Sequence, residues 1–186
     1  MASKADLLLK AYEKVVSEPW QGGISGKEKV WFLVYDPAEQ RKIEMRLEDF
    51  KVATQNGGKQ WHTISLKGCF AEWMAGQEYR ESYFSDPESL IDLLDTEFRE
   101  FVGTYLITQM EQLENADACV IAVLDVSALF GFARLSDVLN LTAPHLKGRM
   151  LVFFPGDFDK NHYRLLQARD GWSYLARPIL AEGAGA

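Results

Sequence analysis

Four aspartates that follow strand-like hydrophobic runs are the residues of this 186-residue chain best placed to do chemistry. The carboxyl ends of parallel strands meet at one edge of a sheet, so these side chains are expected to lie near one another. Carboxylate oxygens are the ligands that Mg²⁺ prefers, and the pattern therefore admits a divalent-metal site for phosphoryl transfer or hydrolysis. The four residues are Asp36, Asp125, Asp157 and Asp159.

Each of these acids also has an ordinary structural interpretation. Asp36 precedes Pro37 and is positioned to cap a helix, and Asp125 can cap or turn the segment that follows it. Asp157 and Asp159 fall in a predicted loop, where acidic residues are common. No Asp-x-Asp pair follows the first hydrophobic run, although phosphotransfer sites of that kind need one. The metal-dependent enzyme therefore stays an alternative hypothesis.

Nucleotide hydrolysis is poorly supported by the sequence. A phosphate cradle requires a glycine loop with a lysine directly after a strand. The first run is followed instead by residues 36–38, which include a proline and neither glycine nor lysine. Residues 22–27 resemble such a loop but are one residue short and precede the run. There is no Gly-x-Ser-x-Gly motif either, so we predict no catalytic residue, no cofactor and no resident metal.

Strand-like and helix-like segments alternate along the chain. This rhythm predicts an α/β fold with a mainly parallel central sheet, in a single three-layer domain over residues 1–180. The fold would be of the P-loop or Rossmann type without a phosphate-binding loop. The predicted strands are 30–35, 61–66, 118–124 and 150–154, and the predicted helices are 3–17, 37–56, a short one around 70–74, 87–113 and a short one around 135–139.

The end of the chain has a different pattern. Residues 163–168 and 172–179 flank the turn pair Asp170-Gly171, which predicts a C-terminal antiparallel hairpin. Residues 181–186 are alanine and glycine apart from one glutamate, and we expect a disordered tail there.

Composition limits the classes of partner. The net charge of −7 argues against a protein that binds mainly through nucleic-acid phosphates or anionic lipid, so nucleic acid is expected only indirectly, within a complex. The two cysteines lie in apolar contexts, which favours buried thiols in a cytoplasmic protein. No apolar stretch reaches the roughly 18 residues of a membrane span, and we predict no signal peptide.

Two segments carry the residue types of protein interfaces. Residues 78–114 contain ten Asp or Glu against two Arg, which indicates either a solvated helix face or a docking surface for a basic partner. Glu97 and Glu100 are the interface residues expected on this helix. In the C-terminal segment Arg164, Trp172 and Tyr174 are of the types that concentrate binding energy.

The order of motifs resembles the BrxB family, a small component of bacteriophage-exclusion (BREX) defence systems of bacteria. The family's aromatic strand followed by Asp-Pro corresponds to residues 35–37, and its small-residue turn before a helix with an arginine to 127–134. Its strand followed by Pro-Gly corresponds to 153–156. The family's Tyr-Asp-Gly and Leu-Arg-Leu are replaced here by 158–160 and 163–165, so the glycine is missing.

The resemblance spans residues 30–179 and implies a non-catalytic subunit. In such systems this subunit works beside a large ATPase, BrxC, and an alkaline-phosphatase-like protein, PglZ, where host DNA is methylated and phage replication is blocked. The expected role is an adaptor that bridges these two proteins.

Overall fold

A computed structural model describes residues 2–169 and 171–181, and it contains a mainly parallel sheet of six strands. The strand order is β2-β3-β4-β1-β6, and β5 pairs antiparallel with the end of β4. This confirms the predicted α/β class. The strands are β1 (Val30–Tyr35), β2 (Gln60–Ser65), β3 (Cys119–Leu124), β4 (Arg149–Asp159), β5 (His162–Leu165) and β6 (Arg177–Ile179).

Helices cover both faces of the sheet. The helices are α1 (Lys4–Ser17), α2 (Gln40–Glu44), α3 (Leu47–Asn56), α4 (Cys69–Ala75), α5 (Arg80–Ser85), α6 (Ile91–Leu93), α7 (Arg99–Glu111) and α8 (Leu135–Thr142). Trp31 and Leu33 of β1 belong to the core shared with α1, α2 and α3, whereas Phe32 and Val34 belong to the core shared with α4, α7 and α8. All six residues of β1 are buried, which explains why this strand shows no polar alternation.

The connections use the two faces in a way that creates a crevice. The chain leaves β1 through α2 and α3 on one face, whereas it leaves β3 and β4 on the opposite face. β1 and β4 are neighbours in the sheet, with Tyr35 opposite Pro155 at the end of their pairing. Open α/β sheets bind ligands where neighbouring strands send their connections to opposite faces, so this end of the sheet is the first place to look for a site.

Two predicted helices are interrupted. The helix predicted over 37–56 breaks at Met45 and Arg46 between α2 and α3, and at the break Arg46 forms ion pairs with Asp6 of α1 and with Asp49. The long helix predicted from residue 87 contains a wider π-helical turn, Leu94–Phe98, between α6 and α7. Phe98 remains fully buried there, so the apolar face of the helix is preserved across the turn.

The C-terminal hairpin lies earlier in the chain than predicted. β4 continues through Pro155 and Gly156, and the tight turn is Lys160-Asn161, whose φ angles are 47° and 65°. Pro155 is tolerated because β4 has already passed its last pair with β3, at Val152.

The segment after the hairpin also differs from the prediction. β6 pairs parallel with β1, so 177–179 do not extend the sheet antiparallel. Only the bridge between Tyr163 and Trp172 remains of the predicted pairing. Of the predicted turn and tail, Asp170 and residues 182–186 lie outside the described residues.

Candidate functional site

The four strand-end aspartates divide between two clefts. Asp36, Asp157 and Asp159 line a cleft of about 420 Å³, whereas Asp125 lines a separate cleft of about 350 Å³. Three of these carboxylates have hydrogen-bond partners: Asp36 accepts from the Ala38 amide at 2.9 Å, Asp157 accepts from Arg164 Nη2 at 2.8 Å, and Asp125 accepts from the Ser65 hydroxyl. Within residues 2–169 and 171–181, no three metal-ligating side chains form a group that could hold an ion.

Asp125 takes part in a polar network at the ends of β2 and β3. Its backbone has a φ of 61°, and its carboxylate accepts a hydrogen bond from the Ser65 hydroxyl. Tyr35 lines the same cleft and donates its hydroxyl hydrogen to Gln40. Burial, together with the negative charges of Glu44 and Asp125, raises the pKa of Tyr35.

The three C-terminal interface candidates have different environments. Arg164 is exposed on β5 and pairs with Asp157. Trp172, a predicted interface residue, is half-buried: its ring packs against Phe32, with centroids 5.7 Å apart, and against three further rings. Trp172 therefore also supports the fold, and its interface role stays a prediction.

Tyr174 belongs to the same aromatic cluster. Its ring stacks on Phe32, and its hydroxyl oxygen is buried with no hydrogen-bond partner among the described residues. Burial raises its pKa to about 12. The accessible edges of Trp172 and Tyr174 line a cleft of about 750 Å³ together with Lys27.

The carboxylates of the acidic segment 78–114 are exposed, as predicted. The same segment carries exposed hydrophobic side chains, whose exposure the sequence did not predict. None of the six residues of α5, all of which the structure describes, is buried. Tyr79, Phe84 and Ile91 are 63%, 64% and 62% exposed. We call these three side chains and the exposed carboxylates around them the acidic face. Its carboxylates are those of Glu78, Glu81, Asp86, Glu88, Asp92, Asp95, Glu97 and Glu100.

The acidic face is built from elements that follow one another along the chain. α5 packs against the short 3₁₀ turn Pro87–Leu90, which in turn contacts α6. Among the ion pairs of the described residues, only that of Arg80 with Glu81, at 3.7 Å, involves a carboxylate of this face. Tyr79 and Phe84 precede the predicted helix 87–113 and do not belong to its buried helical repeat. That position is the sequence signal from which their exposure could have been predicted.

Comparison of the chain with protein families, with curated proteins and with solved structures finds no match. Membership of the BrxB family therefore stays a prediction. None of the helices in the described residues is both long and apolar enough to cross a membrane.

Proposed function

We propose that this protein is a non-catalytic adaptor subunit of a BREX-type defence complex, and that it binds its partner through the acidic face. The observation that carries the proposal is the exposure of Tyr79, Phe84 and Ile91 within a run of mostly unpaired carboxylates. Large hydrophobic side chains grouped at a surface mark sites of protein contact. The surrounding charges orient the partner and speed its association.

The partner surface should be basic with an apolar groove. The segment 78–114 carries a net charge of −8. It would therefore attract a basic surface over a distance of the order of the Debye length, which shortens as the salt concentration rises. The three hydrophobic side chains would then supply the desolvated centre of the interface, with carboxylates at its rim. The resemblance to BrxB suggests that this surface belongs to the BrxC-like ATPase or the PglZ-like protein.

The backbone gives physical reasons for two positions that carry the resemblance, Asp36 and Gly156, and for one position, Lys160, where the chain departs from the family. Asp36 caps the turn that begins at Pro37. A Cβ at Gly156 would lie 2.0 Å from the carbonyl oxygen of Arg164, so a side chain there would displace β5. Lys160, at the place of the family's glycine, has a positive φ that glycine adopts without strain. These features support the resemblance without depending on any catalytic group.

The metal-dependent alternative has less support. It required Asp36, Asp125, Asp157 and Asp159 to converge, and they line two different clefts. The adaptor hypothesis needs only the acidic face and is the better account of the geometry.

Co-purification from cells that express the neighbouring genes tests the proposal. Tagged protein should recover the ATPase or the phosphatase-like protein, identified by mass spectrometry. The variant Phe84→Ser should lower the recovery while the protein itself stays folded, because Phe84 is mostly exposed. Recovery of the tagged protein alone, or undiminished recovery with the variant, would overturn the proposal.

A further inference from the structure

Arg149, at the start of β4, is a buried charge without a countercharge. It is 5% exposed and is the only buried charged side chain in the described part of the chain. Its guanidinium donates to two backbone carbonyls, those of Gly148 at 3.1 Å and Gln21 at 3.0 Å. Among residues 2–169 and 171–181, no carboxylate forms an ion pair with it. Buried charges are normally paired, because removing a charge from water costs several kcal/mol.

Arg149 lines a cavity of about 320 Å³ at the amino-terminal ends of β1 and β4. The clefts that the aspartates line are at the other, carboxyl-terminal ends of the strands. Trp20 also lines this cavity, and its buried indole N–H has no acceptor among the described residues. The Arg149 guanidinium lies 4.8 Å from the Trp20 ring, and Lys59 Nζ lies 4.3 Å from it. The Trp20 ring therefore contacts two cations, of which Arg149 lines the cavity and Lys59 does not.

The two carboxylates that line the cavity are engaged elsewhere. Glu18 accepts two hydrogen bonds from Arg177, at 2.6 and 3.0 Å. Glu28 accepts a hydrogen bond from the Ser25 amide at 2.9 Å. Neither carboxylate forms an ion pair with Arg149, so its guanidinium has no direct anionic partner among the residues that line the cavity.

We propose that this cavity binds an oxyanion, the carboxylate or phosphate group of a small ligand, held by Arg149 and by the indole N–H of Trp20. The planar guanidinium presents several N–H groups in a geometry that matches carboxylate and phosphate oxygens. Trp20, whose ring contacts both Arg149 and Lys59, would add its indole N–H as a further donor. This site is independent of the acidic face.

Thermal unfolding of the full-length protein tests the site. Inorganic phosphate and acetate are each titrated against sodium chloride of equal ionic strength. Because a ligand that binds only the folded state raises its stability, one of the two anions should raise Tm in a saturable way, and its identity separates phosphate from carboxylate. Absence of a saturable rise with both anions would overturn the proposal.

Three variants locate the effect. Arg149→Met should abolish the rise in Tm, whereas Arg164→Met, which removes an exposed arginine on β5, should keep it. Trp20→Phe should shift the midpoint of the titration about tenfold towards higher anion concentration, since it removes one hydrogen bond to a charged group. An unchanged rise in Arg149→Met contradicts the site. Should Arg149→Met fail to fold, an unchanged midpoint in Trp20→Phe contradicts it.

Discussion

Phe32 lies at the centre of the aromatic cluster that packs the C-terminal segment against the sheet. Its ring centroid lies 5.1 Å from that of Phe154, 4.4 Å from that of Tyr163 and 6.0 Å from that of Tyr174, and Trp172 completes the group. Tyr163 also donates its hydroxyl hydrogen to the Ala176 carbonyl at 2.7 Å. The aromatic residues of this segment therefore stabilise the edge of the sheet before they can serve any partner.

The variant Trp172→Ala should accordingly lower the free energy of unfolding by about 3 kcal/mol, because it leaves a cavity against four aromatic rings. Arg164→Ala should change it by less than about 1 kcal/mol, since its ion pair with Asp157 is exposed. Urea unfolding monitored by circular dichroism measures both. If Trp172→Ala lowered the free energy of unfolding by less than about 1 kcal/mol, Trp172 would not be needed for the fold, and its ring would be available for a partner.

Asp6 links α1 to the break between α2 and α3. Hydrogen bonds from the Ser3 hydroxyl, then from Arg46, lower the pKa of Asp6 from 3.8 to about 2. The ionised form is therefore favoured in the folded state. Its contribution to stability is present above about pH 4 and is lost as the pH falls towards 2.

Comparison of the wild type with Asp6→Asn measures this contribution. The wild type should be the more stable at pH 5, and the difference between the two unfolding free energies should shrink as the pH is lowered to 2. A difference that does not change with pH over this range would show that the Asp6 carboxylate is not held in its ionised form by folding.

At the scale of elements, the sequence predicted the starts of the four longest strands to within one residue. The apolar runs of β1, β3 and β4 lack polar alternation, whereas β2 contains polar residues and only one of its six residues is buried. The hairpin was misplaced for a physical reason. Pro155-Gly156 is usually a strand terminator, but here β4 passes through it, since the proline lies beyond the last β3 pair and the glycine admits β5. The turn at Lys160-Asn161 carried only asparagine as a weak signal for positive φ.

The turn makes a testable prediction. Lys160 has a φ of 47°, which costs about 1 kcal/mol for a residue with a side chain. Lys160→Gly should therefore raise the free energy of unfolding by up to about 1 kcal/mol. Asn161→Gly serves as the control and should change it less, because asparagine tolerates this conformation. Destabilisation by Lys160→Gly in urea unfolding would contradict the strained turn.

At the scale of the molecule, sequence spacing placed the aspartates at one edge of the sheet but not in one site. Strand lengths decide this separation: β4 extends four residues beyond the position opposite Tyr35 and carries Asp157 and Asp159 with it, towards the cleft of Asp36. Asp125 directly follows β3, on the other side of β4 from β1, and accepts a hydrogen bond from Ser65. The separation depends on the order of the strands in the sheet and on how far β4 continues, neither of which the spacing of the aspartates in the sequence shows.

The acidic face was predicted in part. The excess of carboxylates in 78–114 is evident in the sequence. The exposure of Tyr79, Phe84 and Ile91 is not, because it depends on which side chains of this segment the tertiary packing leaves at the surface. Charge could be predicted from composition, whereas the apolar centre of the proposed interface required the tertiary structure.

The most direct test measures the affinity of the purified partner for three forms of the protein at low and high salt. The forms are the wild type, the charge-reversed acidic face Glu97→Lys with Glu100→Lys, and the control Glu13→Lys with Glu48→Lys, which changes the net charge equally on exposed positions of α1 and α3. We predict that the wild type and the control bind alike and weaken with salt, whereas the charge-reversed face binds at least tenfold more weakly at low salt. Equal affinity of the two charge-reversed forms, or binding that does not respond to salt, would contradict docking through the acidic face.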